Sequence, residues 1–537
     1  MKRIFIFLSL VIAVSSCYDA EKDFRKVQSA IGDVAMKEFD KTISDDSFMG
    51  RGPFTAGEHK TVNYLIEELQ RNGFEPPFKA EDGSMRYCQQ VNMISITSDV
   101  KSSLAGLALH SSRPVETIQM DGLDMVFCGF GIVAPEYGYD SYKGLDVKGK
   151  VAIVLINDPG LYLSLRGDTL QPDFFKGREL TYYGRWTYKF EEAARQGAAG
   201  VIIVHEDLGA GYNYNVASRS SKMANLYIDS PELMQNCAVE GWMSADAAQT
   251  LFLKEGYDIA RLRQEACSAD FKSFALKTKI HLHVYNTMAR NVSQNVAGIM
   301  RGSDKPDEVV VVSGHWDHFG VDRDAKPDAE GKIDSIYNGA VDNGTTMAWA
   351  FEVGRAYGRL RERPARSLML LFPTSEEQGL LGSKYYVEHP AVPMEKTIAC
   401  INNDMMYPRG KMKDLMLIGK GYYPQLDSLY AEAARYQGRY LIADPNAHTG
   451  MFFRSDQLSF HRKGIPSSWA FGCYGSREKG EKWAAESWNT FLKEIYHTVN
   501  DEYDPNWDWG GIVEDAKVAF EVIYRLTSAD TPFQEQE

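Results

Sequence analysis

The stretch VVVVSGHWDHFG, residues 309–320, decides how this chain is expected to fold. Four consecutive valines without polar alternation are typical of a strand buried on both faces, as in a parallel sheet covered by helices. Two further apolar runs of this kind follow at Leu368–Phe372 and Ile398–Ile401. A helix is predicted between the first two runs, from about residue 343 to 360. The strand–helix–strand order predicts an α/β fold, with a doubly wound, mostly parallel sheet flanked by helices.

Side chains that can bind metals follow each of these runs. Ligands of open α/β sheets bind beyond the carboxyl ends of the strands, which is where these residues fall. Carboxylate oxygen and imidazole nitrogen are ligands of Zn²⁺, and several carboxylates in one place need a cation to balance their charge. The candidates, in chain order, are His315, Asp317, His318, Asp342, Glu376, Glu377, Asp404, Tyr496, His497 and Asp501.

Each candidate has a structural explanation when it is taken singly. The adjacent Glu376 and Glu377 are compatible with a solvated helix start, where negative charge is favoured. Asp342 could cap the helix that follows it, and His497 could be a hydrogen-bonded core histidine. The convergence of all these residues at one edge of the sheet favours a site with two metal ions over the separate explanations.

The ordered set of motifs resembles peptidase family M28, the zinc exopeptidases of the aminopeptidase Y and glutamate carboxypeptidase group. The resemblance implies the zinc exopeptidase type of sheet, peptides as substrates and two Zn²⁺ per chain. The matching stretches are GHWDHFG (314–320), GAVDNGTT (339–346), TSEEQGLLGS (374–383), NNDMM (402–406), SDQLSFHRKGIPS (455–467) and YHTVNDEYD (496–504).

Carried onto these positions, the resemblance implies the metal ligands. His315 and Asp404 would bind one zinc ion. Glu377 and His497 would bind the other, and Asp342 would bridge the two.

The resemblance also implies the residues that act beside the metals. Glu376 would be the general base, and Tyr496 would polarise the substrate carbonyl. Asp317 would lie behind the ligands and hold the His315 ring in one tautomer. A cis peptide bond is expected between Asp342 and Asn343. For His318 and Asp501, a place behind the ligands and a role in lining the pocket or supporting the fold remain open.

The region from about residue 106 to 274 differs in texture, with short apolar runs punctuated by Gly and Pro. Strands are predicted at Val151–Ile156 and Val201–Val204, the second of them preceded by a helix. This region resembles a protease-associated (PA) domain, a smaller β-rich α/β domain, and we expect it to cover part of the cleft. The predicted organisation is a signal peptide at 1–17, the N-terminal part of the peptidase domain at 18–105, the inserted domain at 106–274 and the main part of the peptidase domain at 275–537.

The first residues have the pattern of an export signal. Lys2 and Arg3 precede the apolar run Ile4–Val14, which is shorter than the roughly 20 residues that span a bilayer. Val-Ser-Ser-Cys resembles a bacterial lipobox, which predicts a lipid anchor on Cys17; the alternative is a plain secretory signal. We therefore expect an exported protein of the bacterial cell envelope, held in the periplasm or at the outer membrane by that lipid alone.

The overall charge disfavours one class of partner. The chain has 73 acidic and 59 basic residues, a net charge of -14, without a basic tail. A phosphate backbone attracts the opposite sign, so no nucleic-acid partner is predicted. With 44% hydrophobic and 25% charged residues, the composition is that of a folded globular protein.

The predicted function is that of a metal-dependent exopeptidase, an aminopeptidase in the first place. A carboxypeptidase or dipeptidase of the same fold is the alternative, and it would need Arg or Lys in the pocket to bind a free carboxylate. Two more distant alternatives are a glutaminyl-cyclase-like transferase with one zinc ion and a receptor-type homologue that has lost its ligands. All five ligand positions and the base are filled in this sequence, which disfavours the receptor.

Overall fold

The computed structural model describes residues 19–167, 174–327 and 331–528. The predicted signal peptide, with Cys17, lies outside these residues. The helices are α1 (Ala20–Ser29), α2 (Val34–Ile43), α3 (Ala56–Arg71), α4 (Pro159–Leu165), α5 (Trp186–Arg195), α6 (Asp207–Ala210), α7 (Tyr214–Ser220), α8 (Ala245–Glu255), α9 (Ile259–Glu265), α10 (Thr345–Gly358), α11 (Leu381–Glu388), α12 (Pro424–Tyr436), α13 (Gln457–His461), α14 (Gly480–Thr490) and α15 (Gly510–Ser528).

Strands alternate with these helices along most of the chain. They are β1 (Phe78–Lys79), β2 (Met85–Arg86), β3 (Cys88–Ser102), β4 (Leu107–His110), β5 (Thr117–Phe127), β6 (Val133–Ala134), β7 (Tyr139–Asp140), β8 (Val151–Leu155), β9 (Gly200–Val204), β10 (Asn225–Ile228), β11 (Val239–Met243), β12 (Phe274–Met300), β13 (Lys305–Ser313), β14 (Gly320–Val321), β15 (Ile336–Tyr337), β16 (Arg366–Phe372), β17 (Thr397–Asn402), β18 (Asp414–Ile418), β19 (Tyr440–Ala443) and β20 (Ser467–Phe471).

The three apolar runs form neighbouring strands, as predicted. β13 lies between β17 and β16 and is parallel to both, and β20 extends this parallel group beyond β17. The sheet as a whole is mixed, because β18 is antiparallel to β20 and β12 is antiparallel to β16. The expectation of a mostly parallel sheet therefore holds for its centre and not for its flanks.

Helices cover both faces of this central sheet. Val310 and Val312 of β13 pack into one core with residues of α2, α3, α10 and α15. Val309 and Val311 point to the opposite face, into a second core with residues of α11 and α13. Successive side chains of a strand face opposite sides, so two covered faces explain why this run shows no polar alternation.

The region 106–274, predicted as an insert, adds its own group of strands to the same 14-stranded sheet and has cores of its own. β5, β8, β9 and β11 lie side by side and are parallel, with β4 antiparallel at the outer edge. The strands predicted at 151–156 and 201–204 are β8 and β9. Val151 and Ile153 face one core and Ala152 and Val154 the other, which again explains an unbroken apolar run.

One long strand, β12, joins the strands of the region 106–274 to the central strands. β12 pairs with β5 of the insert through residues 274–285 and with β16 of the central sheet through residues 296–300. Between these segments it pairs with β3 over residues 282–296. The boundary drawn at residue 274 thus coincides with the start of a strand that pairs with both groups of strands. Across the described residues, none of the helices is both long enough and apolar enough to cross a membrane.

Candidate metal centre and active site

The carboxyl ends of three neighbouring strands supply most of the predicted site residues. β13 ends two residues before His315, β16 ends four residues before Glu376, and β17 ends two residues before Asp404. Because these strands are parallel and adjacent, their ends meet at one edge of the sheet. Asp342, from the helical turn before α10, and His497, from the turn after residues 491–495, reach the same edge.

His315 forms the first group of the site with two carboxylates. Its Nε2 lies 3.3 Å from Asp342 Oδ1 and 3.4 Å from Asp404 Oδ1. All three residues are buried. The sequence predicts that these three residues converge, and in the structure they lie in contact.

A second group surrounds the other oxygen of Asp342. His497 Nε2 lies 3.1 Å from Asp342 Oδ2 and 3.2 Å from Glu377 Oε2. On the far side of Glu377, His318 Nδ1 lies 2.6 Å from Oε1. Asp342 therefore presents one carboxylate oxygen to each group, which is the arrangement expected of a bridging ligand.

The first group fits a metal ion by its lack of other partners. Within the described residues, His315 Nε2, Asp342 Oδ1 and Asp404 Oδ1 are buried without a hydrogen-bond partner. One ligand atom from each lies within 4.8 Å of the others, and the same holds for His318, Asp342 and Glu377. Buried polar atoms are otherwise almost always hydrogen-bonded, so this convergence suits a cation.

The carboxylates and histidines of the site shift one another's protonation. Burial alone would lower the pKa of His315, but the negative charges of Glu376 and Asp404 raise it well above its usual range. Burial opposes the change at Glu377 too, but His497 and His318 lower the pKa of that carboxyl to about 2. Glu377 is thus held in the ionised form that binds a metal, whereas His315 would bind one only after losing its proton.

Glu376 differs from its neighbour Glu377 in both place and protonation. Its Oε2 is 3.9 Å from His315 Nε2, and the residue is 8% exposed. Burial, with the negative charges of Asp404 and Glu377, raises the pKa of Glu376 well above the usual carboxyl range, against the opposing effect of His315. This carboxyl is thus suited to hold a proton near the two groups rather than to serve as a ligand.

Asp317 lies directly behind the first group, and its contacts differ in one detail from those expected. The His315 ring donates from Nδ1 to the backbone carbonyl of Asp317 at 3.1 Å, while the Asp317 carboxylate is 3.8 Å from that nitrogen. The carboxylate instead accepts the backbone N–H of Glu376 at 3.0 Å. Asp317 thus fixes the tautomer of His315 through its backbone carbonyl and the position of Glu376 through its side chain.

Two buried residues hold the turn that carries Asp342. Asp501 accepts the backbone N–H groups of Val341 at 2.8 Å and of Asp342 at 3.0 Å, which gives it the supporting role left open above. Arg51 donates to the carbonyl of Gly339 at 2.8 Å and of Trp316 at 2.8 Å. The expected cis peptide bond between Asp342 and Asn343 is present. Sequence analysis did not identify Arg51 as a residue of this support.

Tyr496 stacks on the imidazole of His497, with ring centroids 3.6 Å apart. Burial and the negative charges of Asp342 and Glu377 raise the pKa of Tyr496 well above its usual range. The phenol therefore stays protonated and can act as a hydrogen-bond donor at neutral pH. Phe319 meets the same imidazole edge-on, at 4.7 Å, and is 41% exposed.

The backbone takes the left-handed conformation at three non-glycine positions of the site. These are Ser375, next to Glu376, Met405, next to Asp404, and His497 itself, with φ of 52°, 52° and 59°. Such conformations are uncommon outside glycine and concentrate at functional sites. The sequence has no signal for them, because no Gly or Asn occupies these positions.

Comparisons with known proteins agree with the site. Residues 295–523 match peptidase family M28. The Rattus norvegicus "Aminopeptidase NAALADL1" is 30% identical over 138 residues, 25% of this chain and 16% of that protein. The Mus musculus "Carboxypeptidase Q" is 35% identical over 117 residues, 21% of this chain and 22% of that protein. The matched stretches thus span about a fifth of the length of these relatives.

The chain also aligns with a solved structure over most of its length. "Aminopeptidase from Aneurinibacillus sp. strain AM-1" aligns over 96% of this chain and 98% of that chain, with 17% identity and a TM-score of 0.47. The sequence match covers the β-strands, the turn of Asp342 and the segment of His497 that together build the site. The region 295–523, which carries the candidate metal centre, thus matches peptidase family M28.

Proposed function

We propose that this protein is a dinuclear zinc exopeptidase, and that it removes N-terminal residues from peptides. The observation that supports this most strongly is the buried Glu376 beside two groups of ligand atoms that share Asp342. The match to a peptidase family supports peptides as substrates. The matching relative named "Probable zinc metalloprotease", from Pyricularia oryzae, is 31% identical over 113 residues, and its name supports zinc.

The residues of the two groups would hold the ions. His315 and Asp404 would hold one Zn²⁺, Glu377 and His497 the other, and Asp342 both. Zinc bound there would lower the pKa of a water molecule and polarise the scissile carbonyl as a Lewis acid.

Glu376 would move the proton during hydrolysis. Its carboxylate takes a proton from the attacking water and passes it to the nitrogen of the leaving amine. The raised pKa favours the protonated form of Glu376, and Zn²⁺ held by the neighbouring carboxylates would lower that pKa toward neutrality, the range that suits both halves of the transfer. The bond from Glu376 N–H to Asp317 keeps this carboxylate on the side of His315.

Tyr496 would stabilise the charge that develops on the carbonyl oxygen. Its phenol stays protonated and its ring is held against His497, so the hydroxyl is a preorganised donor. Donors that are fixed before the reaction contribute strongly to the stabilisation of an oxyanion.

Glu376→Gln is the substitution that tests the proposal. The amide keeps the shape of the side chain but cannot accept a proton. We expect kcat to fall by about two to four orders of magnitude, the usual contribution of a general base, with zinc content unchanged. Turnover is measured on aminoacyl and peptide substrates, and zinc by elemental analysis.

Glu377→Gln is the matched control, because the two residues are neighbours with separate tasks. This variant should lose bound zinc, since Glu377 touches His497 directly. If Glu376→Gln loses zinc instead, Glu376 is a ligand and the assignment of the base is wrong. Free and N-acetylated peptides then separate the two exopeptidase types: an aminopeptidase cleaves only those with a free amine.

A further inference from the structure

The central sheet has an amino edge, opposite the metal centre, at which the parallel strands β13, β16 and β17 begin. Arg366, the first residue of β16, donates there to the carbonyl of Leu526 near the end of α15, at 2.9 Å. The loop between α10 and β16 reaches α1 at the same edge, because the backbone N–H of Arg361 donates to Asp23 Oδ2 at 2.9 Å. The amino edge thus carries the start of α1 and the end of α15.

Helix α1 is held in this position by α15. The two helices run antiparallel, since Glu21 pairs with Arg525 near the amino edge and Arg25 pairs with Glu521 one turn further along α1, at 3.0 and 2.9 Å. Phe24 lies fully buried beside these pairs and stacks on two aromatic rings of α15, with ring centroids 4.3 and 5.3 Å away. The start of α1 is therefore fixed against the rest of the fold.

The predicted lipid anchor is close to this helix in sequence. Only Tyr18 separates Cys17 from Asp19, whose side chain accepts the backbone N–H of Lys22 at 3.0 Å and so caps α1. Two residues of extended chain reach about 7 Å at most. A lipid on Cys17 would therefore hold the amino edge of the sheet next to the bilayer.

The loop between α10 and β16 gives this edge a positive surface. Its sequence RLRERPAR, residues 359–366, has four arginines and one glutamate, in a chain whose net charge is -14. Arg359 and Arg363 are exposed, and neither forms an ion pair with a carboxylate of the described residues. Arg363 donates instead to the backbone carbonyl of Arg301 at 3.2 Å, which brings a further cation to the same surface.

The acidic side chains of the amino edge do not cancel this charge. The three segments 301–308, 359–366 and 394–397 together carry seven basic and five acidic residues. One of the acids, Glu308, already pairs with the buried Arg366. The edge is therefore net positive on a molecule that is net negative, which is the sign that anionic lipid headgroups attract.

The strands set the distance between this edge and the reacting groups. β16 has seven residues and β13 has nine, so at about 3.3 Å per residue they span roughly 23 to 30 Å. His315 and Glu376 lie beyond the far ends of these strands. Surface charge is screened over about 8 Å at physiological ionic strength, so the charge of a bilayer at the amino edge would not reach the metal centre.

We propose that the amino edge is a membrane-facing surface, which rests on anionic lipid headgroups around the anchor on Cys17, and that the metal centre points away from the bilayer. The inference goes beyond the proposed peptidase function and rests on the predicted lipidation. The lipid attaches the protein, and the arginines of residues 359–366 attract negative headgroups and so hold one orientation. The substrates that suit this orientation are soluble peptides that approach from the aqueous side.

Fluorescence quenching measures the orientation of the anchored protein. The full chain, processed and lipidated on Cys17 by the cells that make it, is reconstituted into vesicles of phosphatidylglycerol and phosphatidylcholine that carry a quencher on their headgroups. A label is attached through Asp307→Cys at the amino edge or through Asp324→Cys in the loop that follows β14. Both positions are exposed, and the two substitutions change the charge equally. The wild type, treated with the same label, corrects for the native cysteines.

We expect quenching of the label at position 307 to exceed that at position 324 several-fold, because the strands separate the two positions by about 23 Å or more. Equal quenching at both positions, or stronger quenching at position 324, would overturn the orientation. Mass spectrometry of the purified protein establishes the lipid on Cys17, and protein that lacks this lipid when made in a lipoprotein-processing bacterium would overturn the proposal as well.

The double variant Arg359→Gln, Arg363→Gln tests the contribution of the positive surface. In vesicles with phosphatidylglycerol, quenching at position 307 should fall to the lower value that the wild type shows in phosphatidylcholine alone. Lys254→Gln, Lys272→Gln is the matched control, because it removes two exposed cations from the region 106–274 and should leave quenching unchanged. An equal fall in both double variants, or none in either, would reject the arginines as the membrane-facing group.

The orientation is measured without any substrate, which keeps this inference apart from the proposed catalysis. Quenching confined to position 307 in a protein that cleaves no peptide would retain the membrane-facing surface and reject the peptidase. Equal quenching at both positions in a protein that cleaves soluble peptides would retain the peptidase and reject the surface.

Discussion

The candidate metal centre and the group of Asp158 and Lys189 in the region 106–274 both bury charge, but only the second provides hydrogen-bond partners for it. In the insert, Asp158 accepts from Gly160 N–H at 3.1 Å and from the Thr181 hydroxyl at 2.7 Å, and Lys189 donates to the carbonyl of Asn157 at 2.8 Å. In the peptidase region, His315, Asp342 and Asp404 each direct a buried atom to a place without a hydrogen-bond partner among the described residues.

This difference shows which property of a buried polar group points to function. Full burial and a displaced pKa occur in both regions, since the pKa of Asp158 is raised to about 6, chiefly by burial. What distinguishes the metal centre is that its ligand atoms converge and stay unpaired. Burying a polar group costs free energy unless it has a hydrogen-bond partner. A buried cluster without partners therefore points to a cation site, whereas a cluster with partners stabilises the fold.

The largest effect is expected from Asp342→Asn. An amide cannot offer a charged oxygen to each group, so bound zinc should fall to one ion per chain or fewer. We expect kcat/KM to drop by about three orders of magnitude, which is about 4 kcal/mol of activation free energy. Zinc is measured by elemental analysis and kcat/KM on a peptide. Asp158→Asn is the matched change in the insert, and its zinc and activity should stay at wild-type levels; loss in both would erase the distinction.

A smaller effect, and of the opposite kind, is expected from Lys189→Met. The substitution removes the donor to the Asn157 carbonyl and the positive charge near Asp158, and buried groups left in this way cost about 3 kcal/mol of folding free energy when charge is involved. Urea unfolding of the holoenzyme should show this loss, while kcat at low temperature is unchanged. The double variant Asp158→Asn, Lys189→Met should recover much of the stability. A fall in zinc content of the single variant would contradict a purely structural role.

The smallest effect concerns pH. Burial lowers the pKa of His110 to about 4 and raises that of Glu240 to about 7, and their closest atoms are 4.0 Å apart. The contribution of His110 is present above its unfolded pKa of 6.5 and is lost as pH falls through 4. The contribution of Glu240 is present below 4.5 and is lost as pH rises through 7.

Because the two contributions oppose each other, this pair should add little to the change in wild-type stability between pH 4.5 and 6.5. Relative to the wild type, His110→Phe should lose stability as pH rises through this range and Glu240→Gln should gain it, by about 2 kcal/mol in each direction. Urea unfolding at several pH values measures both slopes. Parallel slopes in the two variants would show that other groups dominate the titration.

The centre of the fold and the convergence of the candidate site residues could be predicted from the sequence because both depend on local signals. Val309–Val312 and its two counterparts are unbroken apolar runs, and buried parallel strands require such runs. His315 and Asp404 follow those strands at a spacing that leaves them little freedom of position. The contact of His315 with Asp342 is a consequence of this topology.

The support of the site could not be predicted, because it is made by the backbone. The carbonyl of Asp317 and the N–H groups bound by Asp501 belong to no residue type in particular. The same holds for the carbonyls that accept from Arg51. Gln457 also supports the site: its side-chain oxygen accepts from Asn402 Nδ2 at 2.7 Å, and the residue is fully buried.

The course of β12 was equally hidden, since nothing in its composition marks the point where it leaves one group of strands for the other. This strand of 27 residues pairs with strands of both the region 106–274 and the peptidase region. Movement of the region 106–274 as a unit would have to break the pairing of β5 with β12 and of β10 with β3. We therefore expect peptides to be admitted by rearrangement of surface loops, while the junction of the two regions keeps its dimensions throughout turnover.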